Sequence, residues 1–192
     1  MRDLDQAIKV IKQGGIVIFP TDTAFGIGCR IDDEKAIPRL FKICKRPNNM
    51  AAPVLFDSID RVKNYVLPFG SEIESLMKNY WPGALTIVLP CEISKVPNLV
   101  RGGGNTLGVR IPDHNIPLSL VKGANIPIIG SSANFHGGKT PYKFSDLDKS
   151  LLKLVDFVIE GKTKGGGVTS TVLDCSVFPW KIIRQGKTVL DL

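Results

Sequence analysis

The residues able to do chemistry fall in four polar stretches, each beside an apolar run. They are Thr21-Asp22-Thr23-Ala24-Phe25-Gly26, Asn105-Thr106, Ser131-Ser132-Ala133-Asn134 and Thr169-Ser170-Thr171. Hydroxyls, amides and glycines dominate them, a composition suited to phosphate, which wants hydroxyl donors and closely approaching backbone N–H groups. Arg46, Arg110 and Arg184 supply the guanidinium groups such a ligand needs. Arg110 stands between Val109 and Ile111. Its head therefore needs a partner, either a salt bridge in the core or a ligand. Taken singly, each stretch also reads as an ordinary turn, and the triplets Gly102–Gly104 and Gly165–Gly167 as flexible loops. His136, close to Asn134, is a candidate ligand contact, and His114 reads as a turn residue.

Several chemistries are excluded. No G-x-x-x-x-G-K-[ST] occurs, no G-x-G-x-x-G opens a helix, and no G-x-S-x-G is present. Two histidines offer little for a serine-histidine device. Cys29, Cys44, Cys91 and Cys175 form no C-x-x-C and no zinc-type spacing. They read as reduced, buried thiols, and no metal-ligating residues are assigned.

The elements that must position these residues read as one α/β domain over 1–192. The length of 192 residues suits a single core, and 43% hydrophobic with 22% charged residues is ordinary for a globular chain. Lys and Arg number 25 against 18 Asp and Glu, a net charge of +7 that favours anionic partners. No apolar run approaches the roughly 18 residues of a membrane span, so no membrane role is expected. The N-terminus does not read as a signal peptide, which makes the cytoplasm the expected compartment. Leu4, Ala7, Ile8 and Ile11 mark one face of a first helix, ended by Gly14-Gly15. Ile16–Phe19 reads as a strand buried on both faces, with the first polar loop at its carboxyl end. Further strands are expected at 53–56, 84–89, 107–111, 126–129 and 157–159. Helices are expected around Ile37–Cys44, Ile59–Val66 and Leu147–Val155, and from a Ser71/Glu74 capping box through Tyr80. Thr171–Asp174 and Lys181–Arg184 read as a closing hairpin, which implies a mixed sheet.

With these residues in view, the chain resembles the YrdC-type threonylcarbamoyl-adenylate synthases. The segment from Phe19 through Thr21-Asp22-Thr23 to Gly28 looks like the family's "PT-[DE]-T-x-[YF]-G-[LI]" signature. Lys45-Arg46-Pro47, Trp81-Pro82-Gly83-Ala84-Leu85-Thr86, Thr106–Pro112, Ser132-Ala133-Asn134 and Ser170–Asp174 with Ile183–Gly186 follow in the family's order, across about residues 5 to 187. The resemblance implies a twisted, mostly parallel sheet with flanking helices around a large basic cavity, in the single-domain form. It implies formation of L-threonylcarbamoyl-AMP and pyrophosphate from L-threonine, bicarbonate or CO₂, and ATP. The product is then handed to a complex that modifies tRNA. Thr23, Arg110 and Ser170 would hold L-threonine. Arg46, Thr106, Ser132, Asn134, Thr140 and Arg184 would hold ATP, with Arg46, Ser132 and Asn134 as the catalytic set and magnesium bound with the nucleotide.

Two positions depart from the family pattern. Cys44 stands where "K-x-R-P" has its lysine, and Met50 where a second basic residue is expected. Lys45 or Lys42 would have to substitute, and Cys44→Lys would raise turnover if the gap is real. The alternative is a nucleotide- or RNA-binding module with weakened catalysis, contacting RNA through its basic surface.

Overall fold

A computed structural model describes residues 2–190, so the ends of the expected 1–192 domain, Met1, Asp191 and Leu192, lie outside the described residues. Helix α1 (Arg2–Lys12) leads into β1 (Val17–Pro20), which turns through residues 21–24 into β2 (Phe25–Gly28). Then come α2 (Ala36–Ile43), β3 (Val54–Leu55), α3 (Ile59–Lys63), α4 (Ser71–Tyr80), β4 (Leu85–Pro90) and β5 (Thr106–Arg110). Helix α5 (Asn115–Ala124), β6 (Ile128–Ile129), β7 (Ser131–Ser132), a 3-10 turn (Phe144–Asp146), α6 (Lys149–Leu152), β8 (Phe157–Val158), β9 (Thr171–Asp174) and β10 (Lys181–Arg184) complete the chain.

The strands form two mixed sheets, of order β7-β2-β1-β8 and β10-β9-β4-β5-β3-β6. The expected α/β class with a mixed sheet holds, but the balance is not mostly parallel. Among the described residues only β1/β8, β3/β5 and β4/β9 run parallel, against five antiparallel pairs. The reason is local. Strands β1 and β2 are joined by a four-residue turn, too short for a parallel crossover.

The sheets meet where β6 passes into β7 through Gly130. Ile129 N–H donates to the Cys29 carbonyl, and Gly130 N–H to that of Pro53, each at 2.9 Å. Gly28 is required here, because a Cβ would lie 1.8 Å from the Ile129 carbonyl oxygen. The larger core runs from Ile16, Ile18 and Phe25 through Leu40, Phe56 and Met77 to Ile87, Val109 and Leu173. A smaller one packs Ala7 and Ile11 of α1 against Val17, Phe19, Leu120 and Val121.

Several elements differ from expectation. Strand β2 reads as a polar loop because glycines alternate with its apolar residues. Helix α5 carries Pro117, which resembles a breaker but sits in the first turn, where a missing N–H costs nothing. His114 is its N-cap: Nδ1 accepts from Ile116 N–H at 3.2 Å. Ser71 makes no capping bond, and Gly70 takes that position for α4. The helix expected over Leu147–Val155 shortens to α6 after a 3-10 turn. No helix among the described residues is long and apolar enough to cross a membrane. All four cysteines are free and buried.

Candidate active site

The turn after β1, the carboxyl end of β5, the β6–β7 junction and the β9–β10 pair open onto one hollow of about 760 Å³, its mouth included. Arg46, Arg110 and Arg184 all line it. So do Thr23, Thr86, Ser132, Thr140 and Ser170.

Arg110 ends β5, and its guanidinium is held from three sides. Nε donates to the Gly83 carbonyl at 2.9 Å, Nη1 to Thr23 Oγ1 at 3.2 Å, and Nη2 to Asp22 Oδ1. Arg110 is 6% exposed and Asp22 3%. Both readings of this arginine therefore hold together: it is a core salt bridge and it faces the hollow. A guanidinium has five N–H donors, so two remain for a ligand. Thr21 Oγ1 accepts from the N–H of Thr23 at 3.1 Å and donates to the Ala24 carbonyl at 2.7 Å, which fixes the turn. Gly165 closes over this turn, where a Cβ would lie 1.7 Å from the Thr23 carbonyl oxygen.

Arg184 donates through Nε and Nη2 to the Ser170 carbonyl at 3.1 and 2.9 Å, and through Nη2 to Ser170 Oγ at 3.1 Å. Ser170 Oγ in turn lies 3.1 Å from Thr86 Oγ1. Burial, and then the like charge of Arg110, hold the Arg184 guanidinium below its usual pKa. Arg46 is lowered by burial. Its Nε donates to the Met50 carbonyl at 3.1 Å, Nη2 donates to that of Ala51, and Phe41 lies under the guanidinium at 5.7 Å. Among the described residues, three arginines less one paired aspartate leave two uncompensated positive charges around the hollow.

Not every expected residue arrives there. Thr106 begins β5, four residues from Arg110 and thus about 13 Å away along an extended strand, and it does not line the hollow. Asn134 stands beside the lining: its Nδ2 donates to the carbonyls of Phe135 and Gly138 and pins the 134–138 turn. His136 is exposed and gives its backbone N–H to the Cys44 carbonyl at 2.7 Å. Cys44 is buried, at the end of α2 and off the hollow, and burial pushes its thiol up to about 11. Lys45, expected to substitute for a lysine at 44, places its ammonium over Phe135 instead, 4.9 Å from the ring centroid. Residues that sequence reasoning gave no role are Asp22 and Thr86. Asp22 lies inside a motif visible in the sequence, but its partner is 88 positions away.

A family model described as "Telomere recombination", covering the Sua5, YciO and YrdC proteins, matches residues 9–186. The chain belongs to the Sua5/YciO/YrdC family. Threonylcarbamoyl-AMP synthase of Bacillus subtilis is 32% identical over 94% of the chain, and that of Pyrococcus abyssi 33% over 96%. The chain spans about half the length of these two relatives, 52% and 54%. The Vibrio cholerae synthase is 29% identical and is covered over 98% of its length. Among solved structures, P. abyssi Sua5 complexed with L-threonine superimposes with a TM-score of 0.91 at 33% identity, over 95% of this chain and 54% of that one. Escherichia coli YciO gives 0.85 at 26% identity, over 96% and 89%.

Proposed function

We propose that this chain is an L-threonylcarbamoyladenylate synthase, a nucleotidyltransferase that joins L-threonine, bicarbonate or CO₂, and ATP, and releases pyrophosphate. The observation that carries this reading is the convergence of Arg46, Arg110 and Arg184 on one hydroxyl-rich hollow. L-Threonine's carboxylate takes the two free N–H donors of Arg110. The Thr21 hydroxyl hydrogen is spent on Ala24, so Thr23 supplies the hydrogen between the two hydroxyls. Thr23 Oγ1 also accepts from Arg110, which leaves one lone pair for the substrate amine.

The amine, deprotonated near pH 8, adds to CO₂ with loss of a proton, or to bicarbonate with loss of water, and gives a carbamate. A carbamate oxygen then attacks the α-phosphorus. The bond to the β-phosphate bridging oxygen breaks, and pyrophosphate leaves with that electron pair. Arg46 and Arg184 neutralise the charge that develops, with Ser132 and Thr140 as donors at the rim. Such a reaction asks for positioning and fixed charge, with no protein nucleophile.

Magnesium enters this proposal as an ion arriving on the triphosphate, where it shields phosphate charge. Among the described residues no group of three His, Cys, Asp or Glu is placed to hold a metal, and Asp22 is committed to Arg110. Transfer of the product to a tRNA-modifying complex, direct RNA contact favoured by the +7 charge, and a cytoplasmic setting for the four free thiols belong to the same proposal. Incubation with ATP, L-threonine and labelled bicarbonate tests it. Pyrophosphate release that needs both threonine and bicarbonate is expected. Intact RNA binding without any such release would replace the synthase with a binding module.

A further inference from the structure

The Thr86–Ser170 pair differs from Thr23 in its hydroxyl hydrogens. Thr86, on β4, is 4% exposed and Ser170 6%. Their hydroxyl oxygens are 3.1 Å apart, and the one other side-chain partner of either among the described residues is Arg184 Nη2, on Ser170 Oγ. Arginine only donates. The two hydroxyls own two hydrogens and spend one between themselves. Whichever of them donates, one hydrogen is left over, and the hollow that both side chains line is where an acceptor can stand. Where Thr23 retains an acceptor, this pair retains a donor. It lies between the two arginines: in the strand order β10-β9-β4-β5, Arg184 is on β10, Thr86 on β4 and Arg110 on β5, and Arg184 binds Ser170 directly.

We infer that Thr86 and Ser170 form a one-carbon oxyanion subsite, in which the spare hydroxyl hydrogen binds an oxygen of bicarbonate and then of the carbamate made from it. This rests on the synthase reading. Arg110 fixes the amino acid and Arg184 the phosphates, so the carbon joining them must pass between the two. Thr86 is therefore a substrate-contacting residue that none of the assignments above includes, and Ser170, expected to hold threonine, serves with it the carbon added to threonine's amine.

The test is steady-state pyrophosphate release with bicarbonate as the varied substrate and threonine and ATP saturating. Thr86→Val removes the hydroxyl and keeps the β-branched shape. Its KM for bicarbonate should rise roughly 10- to 100-fold, the range for one hydrogen bond to a charged group, with KM for threonine and ATP within about twofold of wild type. Thr86→Ser should restore the wild-type value. Unchanged bicarbonate KM in Thr86→Val, or the same rise in Thr86→Ser, would overturn the subsite. Circular dichroism checks that the valine variant folds. If it does not, Thr86→Ala and Thr86→Ser are compared instead, with the same requirement. A wild-type protein that releases no pyrophosphate would remove the synthase reading itself, a different result from an active wild type indifferent to Thr86.

Discussion

The Asp22–Arg110 pair allows a quantitative prediction. Both side chains are almost fully buried, at 5% and 8% side-chain exposure. Asp22→Asn keeps the shape and one carbonyl oxygen but removes the charge that compensates the guanidinium. Two charges about 4 Å apart at an effective dielectric near 20 interact by about 4 kcal/mol. Stranding one member of a buried pair costs roughly 3–5 kcal/mol in comparable cases. For a domain of this size each kcal/mol lowers Tm by about 2–4 °C, so a fall of roughly 6–20 °C is expected. Thermal unfolding should be followed by near-UV circular dichroism, with and without L-threonine. A bound amino-acid carboxylate resupplies the missing negative charge, so threonine should raise the Tm of Asp22→Asn by more than that of wild type. An unfolding free energy within about 1 kcal/mol of wild type, or a smaller threonine shift in the variant, would refute the idea that Asp22 balances Arg110.

Three further outcomes are expected. Gly165→Ala places a Cβ against the Thr23 carbonyl, so kcat/KM should fall roughly 100-fold, the order that a misplacement of about 1 Å costs, while far-UV circular dichroism stays native. His114 has its pKa lowered, chiefly by burial, so the unfolded chain takes up a proton first. Stability should therefore decline as pH falls below about 6.5, and His114→Asn, which keeps a capping oxygen, should flatten that decline in urea titrations. Cys44→Lys buries an ammonium at the end of α2, where the Cys44 side chain is buried and does not line the hollow. It should lower stability by a few kcal/mol (about 2–4) without raising turnover, and a gain in turnover would show that the position does serve the site.

The parts of the fold that were legible in the sequence are those whose signal is local. The apolar run of β1, the β-branched β4 and the four-point stripe of α1 each carry their own period. Strand β2 was hidden because Gly26 and Gly28 interrupt its hydrophobic alternation, and their reason for being glycine is a contact with other strands. Helix α5 was hidden by Pro117, which breaks a helix only beyond its first turn. In the site, the charged and hydroxyl types of Arg46, Arg110, Arg184, Thr23 and Ser170 were visible. Their partnerships were not, since Thr86 and Ser170 are 84 positions apart and no local pattern encodes such a pairing. Thr106 shows the converse. Its motif neighbour Arg110 is close in sequence but at the other end of an extended strand.

The hollow draws its walls from residues as far apart in sequence as Thr21 and Arg184. A ribosome-bound fragment lacking β10 has no Arg184 to fold back on Ser170. Grip on an anionic ligand thus arises only once Arg184 has followed Thr21 out and closed on Ser170, which makes ligand affinity a gauge of folding across residues 21–184.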